Sequence, residues 1–320
     1  MTKIKNIILF IDGENSVCNF WRGTGVFNEL ERQGYIRTEI SNWNESLITL
    51  RKYDIAYFQR PMFSGCLQQV LMAKDCGLKI WVDLDDWRLL PDRHPMKNVY
   101  DKRFDLEVFR KIMNVADIIT VTNEKMKKYY LCFNKNIIVI PNAINDYVFK
   151  QNGRSTNNVI LWRGGENHVN DIIPEADSIK KFLFSNEGWK FVTIGDRISE
   201  FGGIKNHQYV GRFSMHDYFG FMLQLSPAIV IGPLEKNKFN ELKSNILWQE
   251  ATISGAVCVS PSYSTCTDAI QYNGHIHEKL DQITKNRTLI DQNFKKSVKT
   301  LRRYYLSKIN ELRLNIIRSL

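Results

Sequence analysis

Short apolar runs rich in β-branched residues recur along the chain, separated by segments whose apolar positions repeat at helical spacing. "IILFI" near residue 9, "IAYFQ" near 57, "LKIWVDL" near 81, "IITVT" near 120 and "IIVIP" near 139 predict buried strands, and "VFNELERQG" and "GCLQQVLMAKDCG" predict helices between them. Strands apolar on both faces and alternating with helices predict a parallel sheet covered on both sides. The segment "KQNGRSTNN" then offers no apolar residue and reads as a linker. A second set follows it: "NVILWRG", "KFVTIGD", "QYVGR", "AIVIGPL" and "AVCVSP". The pattern predicts two Rossmann-like α/β domains, 1–152 and 153–294, with no internal repeat. Beyond them Val298, Leu301, Tyr305, Ile309, Leu312, Ile316 and Leu320 recur at spacings of three and four, predicting one amphipathic helix over 295–320.

Charge changes this picture only at the end of the chain. Of the formal net charge of +10, eight Lys/Arg against Glu311 alone place +7 between Lys295 and Leu320. Such a basic face is either solvated surface or a contact for a polyanion, nucleic acid or membrane phosphate. The start, "MTKIKNIILFIDG", has too short an apolar run for a signal peptide, and no segment approaches the roughly 18 apolar residues of a membrane span. A cytoplasmic protein is expected, without stable membrane insertion. Six cysteines without a C-x-x-C pair argue against a zinc or disulfide framework.

Ligands of such sheets bind beyond the carboxyl ends of the strands. In the second domain those ends carry three cations, Arg163, Arg212 and Lys243, and the pair Gly164–Gly165, which lets backbone N–H groups approach an anion closely. Lys243 and Ser244 are expected to open the helix that contains Glu250. A carboxylate in so apolar a helix needs either solvent or a partner. It is either an acceptor for both hydroxyls of a ribose or a salt-bridged structural acid.

Three blocks carry a family resemblance. "VIPNAINDYVF" resembles the domain-closing Pro-Asn motif of retaining GT-B glycosyltransferases, the group that includes sucrose and glycogen synthases and lipopolysaccharide transferases. "ADIITVTNEKMKKYY" resembles the segment that precedes it, and "FNELKSNILWQEATISGAVCVSP" resembles the family's Glu-x7-Glu motif. "ILWRGGENHVND" is similar to a divergent subgroup from tailed phages and surface-glycan clusters. The resemblance implies two domains facing across a cleft, with a closing helix that crosses back to the first. It implies a nucleotide-sugar donor, UDP-linked by preference, whose ribose meets Glu250 and whose diphosphate meets Arg163, with Gly25, Arg212, Asn240 and Ser244 lining the site and His168 and Asp171 lining or bracing it. As residues alone, His168 is equally a structural hydrogen-bonding group and Asp171 a helix N-terminal acid. The position of the family's first Glu is Leu242, which moves weight to Asn240, Lys243 and Ser244. Front-face attack is implied, the donor phosphate taking the proton, so that no protein base is required.

The first domain is then expected to hold the acceptor. Trp21 and Arg22, in the loop after the first strand, are candidates to stack on it and clamp it, as are Trp43, Trp87 and Arg88. The glycines near Gly25 do not make a dinucleotide fingerprint, because G-x-G-x-x-G would need a glycine at Asn28. Asp83 and Asp85 match the D-x-D that binds Mn²⁺ or Mg²⁺ elsewhere. The resemblance favours a metal-independent enzyme with no cofactor, in which Asp85 and Asp86 orient an acceptor hydroxyl and His94 lies on the following loop.

The expected function is transfer of a sugar from a nucleotide-sugar to a hydroxyl. The expected acceptor is a hydroxymethylated or hydroxylated base in duplex phage DNA, which would place the enzyme in the host cytoplasm. A lipopolysaccharide or other surface glycan is the alternative acceptor, and a non-catalytic nucleotide-sugar or nucleic-acid binding module is the alternative class. Neither the sugar, the nucleotide nor the oligomeric state is legible.

Overall fold

The computed structural model describes residues 4–11 and 16–320; residues 1–3 and 12–15 lie outside them. Among the described residues the strands form two six-stranded sheets in which every pairing is parallel. The first contains β1 (Lys5–Phe10), β2 (Ile36–Ile40), β3 (Ile55–Gln59), β4 (Lys79–Leu84), β5 (Ile118–Val121) and β6 (Ile137–Val139), ordered β2-β1-β3-β4-β5-β6. The second contains β7 (Val159–Gly164), β8 (Lys190–Gly195), β9 (His207–Val210), β10 (Ile229–Ile231), β11 (Val257–Pro261) and β12 (Ile270–Tyr272), ordered β12-β11-β10-β7-β8-β9. Strand order therefore reverses between β1 and β3 in one sheet and between β7 and β10 in the other. Crevices of doubly wound sheets open at such points.

The chain divides into two compact units, one of residues 1–90, 97–143 and 306–320 and one of 91–96 and 144–305. The polar stretch 150–158 is fastened to the second unit: Asn152 N–H donates to Ile253 O at 2.9 Å and Ser155 N–H to Gly255 O at 2.8 Å. Gly255 has φ +91°, and a Cβ there would lie 2.4 Å from the Gly153 carbonyl, so this docking requires glycine.

The closing segment is not one helix. A helix spans Arg287–Leu301, a 3-10 turn spans Arg302–Tyr304, and a second helix spans Leu306–Ser319. The break resets the buried stripe. Ile290 and Phe294 pack into the core of the second unit, whereas Leu306, Ile309, Ile316 and Ile317 pack against the β1, β3 and β4 residues of the first. Leu312, expected in the stripe, is 43 % exposed, and Arg313, expected on the basic outer face, is buried. Arg313 donates to Asn310 Oδ1 at 2.8 Å, and burial followed by the nearby Arg22 charge depresses its guanidinium to about 9. The exposed cations Lys295, Lys296, Lys299, Arg302 and Arg303 all belong to the second unit.

Candidate functional site

In the second unit some of the expected donor residues form two groups, one around Glu250 and one around His168. Arg163 is the penultimate residue of β7 and Glu250 lies in the helix Ile246–Ile253. Both Nε and Nη2 of Arg163 reach Glu250 Oε2 at 2.8 Å, and Tyr218 OH donates to the same oxygen at 2.9 Å. Glu250 is 2 % exposed and Arg163 23 %, so the carboxylate is solvated by its partners rather than by water. Burial works against the Arg163 charge, but Glu250 outweighs it and raises the guanidinium above its usual range. Burial, then Glu250, drives the Tyr218 phenol well up, so it stays a donor.

Beside this pair lies a second group. The turn Glu166–His168 follows the β7 end, where Gly164 has no room for a side chain: a Cβ would meet His168 Cβ at 2.7 Å. Gly195, at the end of β8, has φ +108° and allows the Gly164 carbonyl to approach closely. His168 Nδ1 lies 2.9 Å from Asp171 Oδ2, and Asp171 Oδ1 accepts from Asn240 Nδ2 at 2.7 Å and Glu235 N–H at 2.8 Å. An ionised Asp171 only accepts, so Nδ1 carries the imidazole proton. Burial, then the Lys243 charge, lowers His168 to about 4, so the ring is neutral at pH 7. Lys243 Nζ is 3.2 Å from Nε2 and 3.3 Å from Nδ1. Near-equal distances place the ammonium against the ring face rather than along one lone pair. On another side it lies 4.9 Å from the centroid of Phe239. Two neutral rings, the His168 imidazole and Phe239, thus flank the cation.

Several donor-side expectations change. The helix starts at Ile246 behind Asn245, so Lys243 and Ser244 precede it rather than opening it. The Asn240 amide is spent on Asp171 and the Glu235 carbonyl. Arg212 is 68 % exposed and pairs with Asp196. Gly165 has open space around it. Gly25 lies within the helix Thr24–Arg32, and a Cβ there would meet the Phe20 carbonyl at 2.0 Å, which gives it a packing role between two helices. His94 groups with the second unit, its ring edge against Phe239 at 5.7 Å, and burial followed by Lys243 lowers its basicity.

The first unit revises the acceptor residues more sharply. Trp21 and Arg22 are buried and cannot clamp a ligand from the surface. Arg22 donates to Asp83 from Nε at 3.0 Å and Nη2 at 2.5 Å, and to the Ile140 carbonyl and Asn142 Oδ1. It ties β4 to the Pro-Asn segment. Asp83 also accepts from Thr120 Oγ1 at 2.5 Å, so its oxygens are engaged. Trp43 donates its indole N–H to the Ile11 carbonyl at 2.8 Å. Trp87 packs on Tyr129 and Tyr130, and the Arg88 guanidinium lies 5.3 to 5.8 Å from the Trp87, Phe104 and Phe133 rings. These contacts hold Arg88 in an aromatic layer.

Asp85 and Asp86 remain at the carboxyl end of β4, part-exposed, and both meet Arg60, a residue the sequence did not single out. Arg60 binds both Asp85 oxygens, Nη2 to Oδ2 at 2.7 Å, and reaches Asp86 Oδ2 at 3.2 Å. Burial would raise the Asp85 carboxyl, but Arg60 overrides it and holds it low. Arg60 has φ +50° directly before Pro61, a backbone state disfavoured for a residue in that place. Tyr218, the other missed residue, lies in the helix Met215–Leu225, whose apolar spacing gave no sign of it.

No protein-family model and no curated protein matches the chain. Solved structures do. HepE of Anabaena in complex with UDP superposes with a TM-score of 0.69 at 12 % identity, covering 99 % of this chain and 100 % of that one. The fold is GT-B. TarM of S. aureus aligns at a TM-score of 0.60 and 13 % identity over 84 % of this chain and 57 % of its own, in a complex with UDP. A UDP-GlcNAc 2-epimerase from Neisseria meningitidis bound to UDP-GlcNAc aligns at 0.57 and 11 % over 99 % of this chain and 100 % of that one. The same fold thus occurs in proteins solved with UDP and with a UDP-sugar.

Proposed function

We propose that this chain is a nucleotide-sugar-dependent glycosyltransferase with its donor site in the second unit. The observation that carries the reading is the grouping of Arg163, Glu250 and Lys243 at the strand-order reversal of the second sheet, with structural neighbours solved with UDP as support. In this reading Glu250 accepts from the ribose, and Arg163 and Lys243 offset the charge that develops on the leaving diphosphate. Stabilisation by fixed cations lets transfer proceed without a metal. Retention follows if the acceptor hydroxyl attacks from the leaving-group face and gives its proton to the departing phosphate.

The acceptor side rests on Asp85 and Asp86, held by Arg60. Duplex DNA as acceptor is supported by five exposed cations along 295–303, although these lie on the second unit and two of the proposed clamps, Trp21 and Arg22, are buried. A surface glycan is the alternative. Incubation with UDP-sugars and assay of released UDP tests the enzyme class. UDP release that depends on added acceptor supports transfer, conversion of the sugar to its epimer without acceptor supports an epimerase, and binding without turnover supports a binding module.

A further inference from the structure

Glu250 is not simply paired. Two hydrogen-bond donors, Arg163 Nε and Tyr218 OH, converge on one of its oxygens, Oε2, at 2.8 and 2.9 Å, and Arg163 Nη2 lies 2.8 Å from the same oxygen in the ion pair. A carboxylate oxygen offers about two lone-pair directions, so these two hydrogen bonds occupy Oε2 and hold the group in place. The second oxygen, Oε1, takes neither of those hydrogen bonds, and its direction follows from theirs. Tyr218 reaches Oε2 from the helix Met215–Leu225 and Arg163 reaches it from β7, so two separate elements clamp the carboxylate.

We infer that Tyr218 is a positioning residue that aims Glu250 Oε1 at a ribose hydroxyl and thereby sets the preference of the site for ribonucleotides over deoxyribonucleotides. The inference rests on the donor-site reading above. The expectation from sequence was that the carboxylate accepts both ribose hydroxyls; here one of its oxygens is committed to the protein. Discrimination against a missing hydroxyl is large only where the acceptor is held in place and is left unsatisfied by the wrong ligand. A carboxylate free to rotate would turn to other donors, and the distinction would fade. Tyr218 does not touch the reacting atoms; its effect passes through Glu250.

The test is binding of UDP and 2′-deoxy-UDP by calorimetry to the full chain and to Tyr218→Phe. The intact protein is expected to prefer UDP by about tenfold or more, the loss expected when one hydrogen bond to a charged group goes unmade. Tyr218→Phe keeps the ring packing. It is expected to bind 2′-deoxy-UDP as the intact protein does while its preference for UDP collapses to roughly threefold or less. A merely structural role would weaken both nucleotides together. Full preference in Tyr218→Phe overturns the inference while leaving the donor site standing, whereas an intact protein with no preference overturns the ribose role of Glu250 itself. As a second measurement, 3-fluorotyrosine at position 218 should shift its fluorine resonance on addition of UDP and far less with 2′-deoxy-UDP; equal shifts overturn the inference.

Discussion

Arg163 and Glu250 meet through a single oxygen, Oε2, at 2.8 Å from both guanidinium nitrogens. This answers why a carboxylate lies in an apolar helix, and it couples stability to ligand binding. Glu250→Gln leaves a largely buried guanidinium without its counter-charge. It is expected to cost about 3 kcal/mol of stability as well as UDP affinity. The double variant Arg163→Met/Glu250→Leu should recover most of the lost melting temperature and none of the UDP binding. Wild-type UDP affinity in the double variant would remove this pair from the site.

Arg22 and Asp83 form the corresponding buried pair in the first unit, at 2 % exposure each. Arg22→Ala is expected to destabilise by about 3–5 kcal/mol, because Asp83 is left charged in the core. The check is denaturant unfolding alongside acceptor kinetics. A stable Arg22→Ala with a raised acceptor KM would restore the surface-clamp role that burial denies it.

These two pairs mark the limit of what the sequence discloses. Of the twelve strands among the described residues ten are legible, nine from apolar runs and the edge strand β9 only from its short Tyr209–Val210 pair. β2, "IRTEI", and β12, "IQY", are edge strands whose polar residues hide them. The break at Arg302–Tyr304 was masked because apolar residues kept three- and four-residue spacing through Tyr305, while the helices on either side pack into different units. Strand ends directed attention to Arg163, which lies against Glu250, and to Lys243, which lies against His168. Pairings across 61 residues, as between Arg22 and Asp83, leave no local trace, and so a buried arginine read as a surface one.

Arg60 combines φ +50°, a following proline and a two-point grip on Asp85, strain of order 1–3 kcal/mol that the ion pairs maintain. Glycine relieves it. Arg60→Gly should therefore be more stable than Arg60→Ala by about 1 kcal/mol. If the clamp serves the acceptor, both variants lose transfer at saturating donor and keep UDP affinity. Unimpaired transfer in Arg60→Gly would reduce the clamp to a structural device.

The histidine at 168 gives stability a pH dependence. Its folded value of about 4 lies below its ordinary value of 6.5, so between those pH values the unfolded chain binds a proton that the folded chain does not. Stability contributed by the neutral ring is full above about pH 6.5 and falls as pH drops toward 4, by on the order of 2 kcal/mol with the ring 28 % exposed. Protonation would also set a cation against Lys243. His168→Gln should flatten the melting-temperature profile between pH 4 and 6.5; an unchanged profile would assign the loss to other groups.

The exposed cations Lys295, Lys299, Arg302 and Arg303 follow one another on the helix Arg287–Leu301 and the turn after it, with Lys296 beside them and 3.7 Å from Asp268. If they track a duplex backbone, affinity for DNA should fall steeply between about 50 and 200 mM salt, each phosphate contact adding about 0.9 to the slope of log K against log salt. Reversing Lys299, Arg302 and Arg303 to Glu should then lower that slope by about 3 while UDP-sugar hydrolysis without acceptor stays unchanged. These residues lie on the second unit and are exposed, so the two readouts separate acceptor docking from donor chemistry. A slope that the reversal leaves unchanged would place DNA elsewhere on the protein. Failure to bind duplex at low salt, together with binding to anionic vesicles that the same reversal abolishes, would assign the row to a membrane surface and the acceptor to a surface glycan.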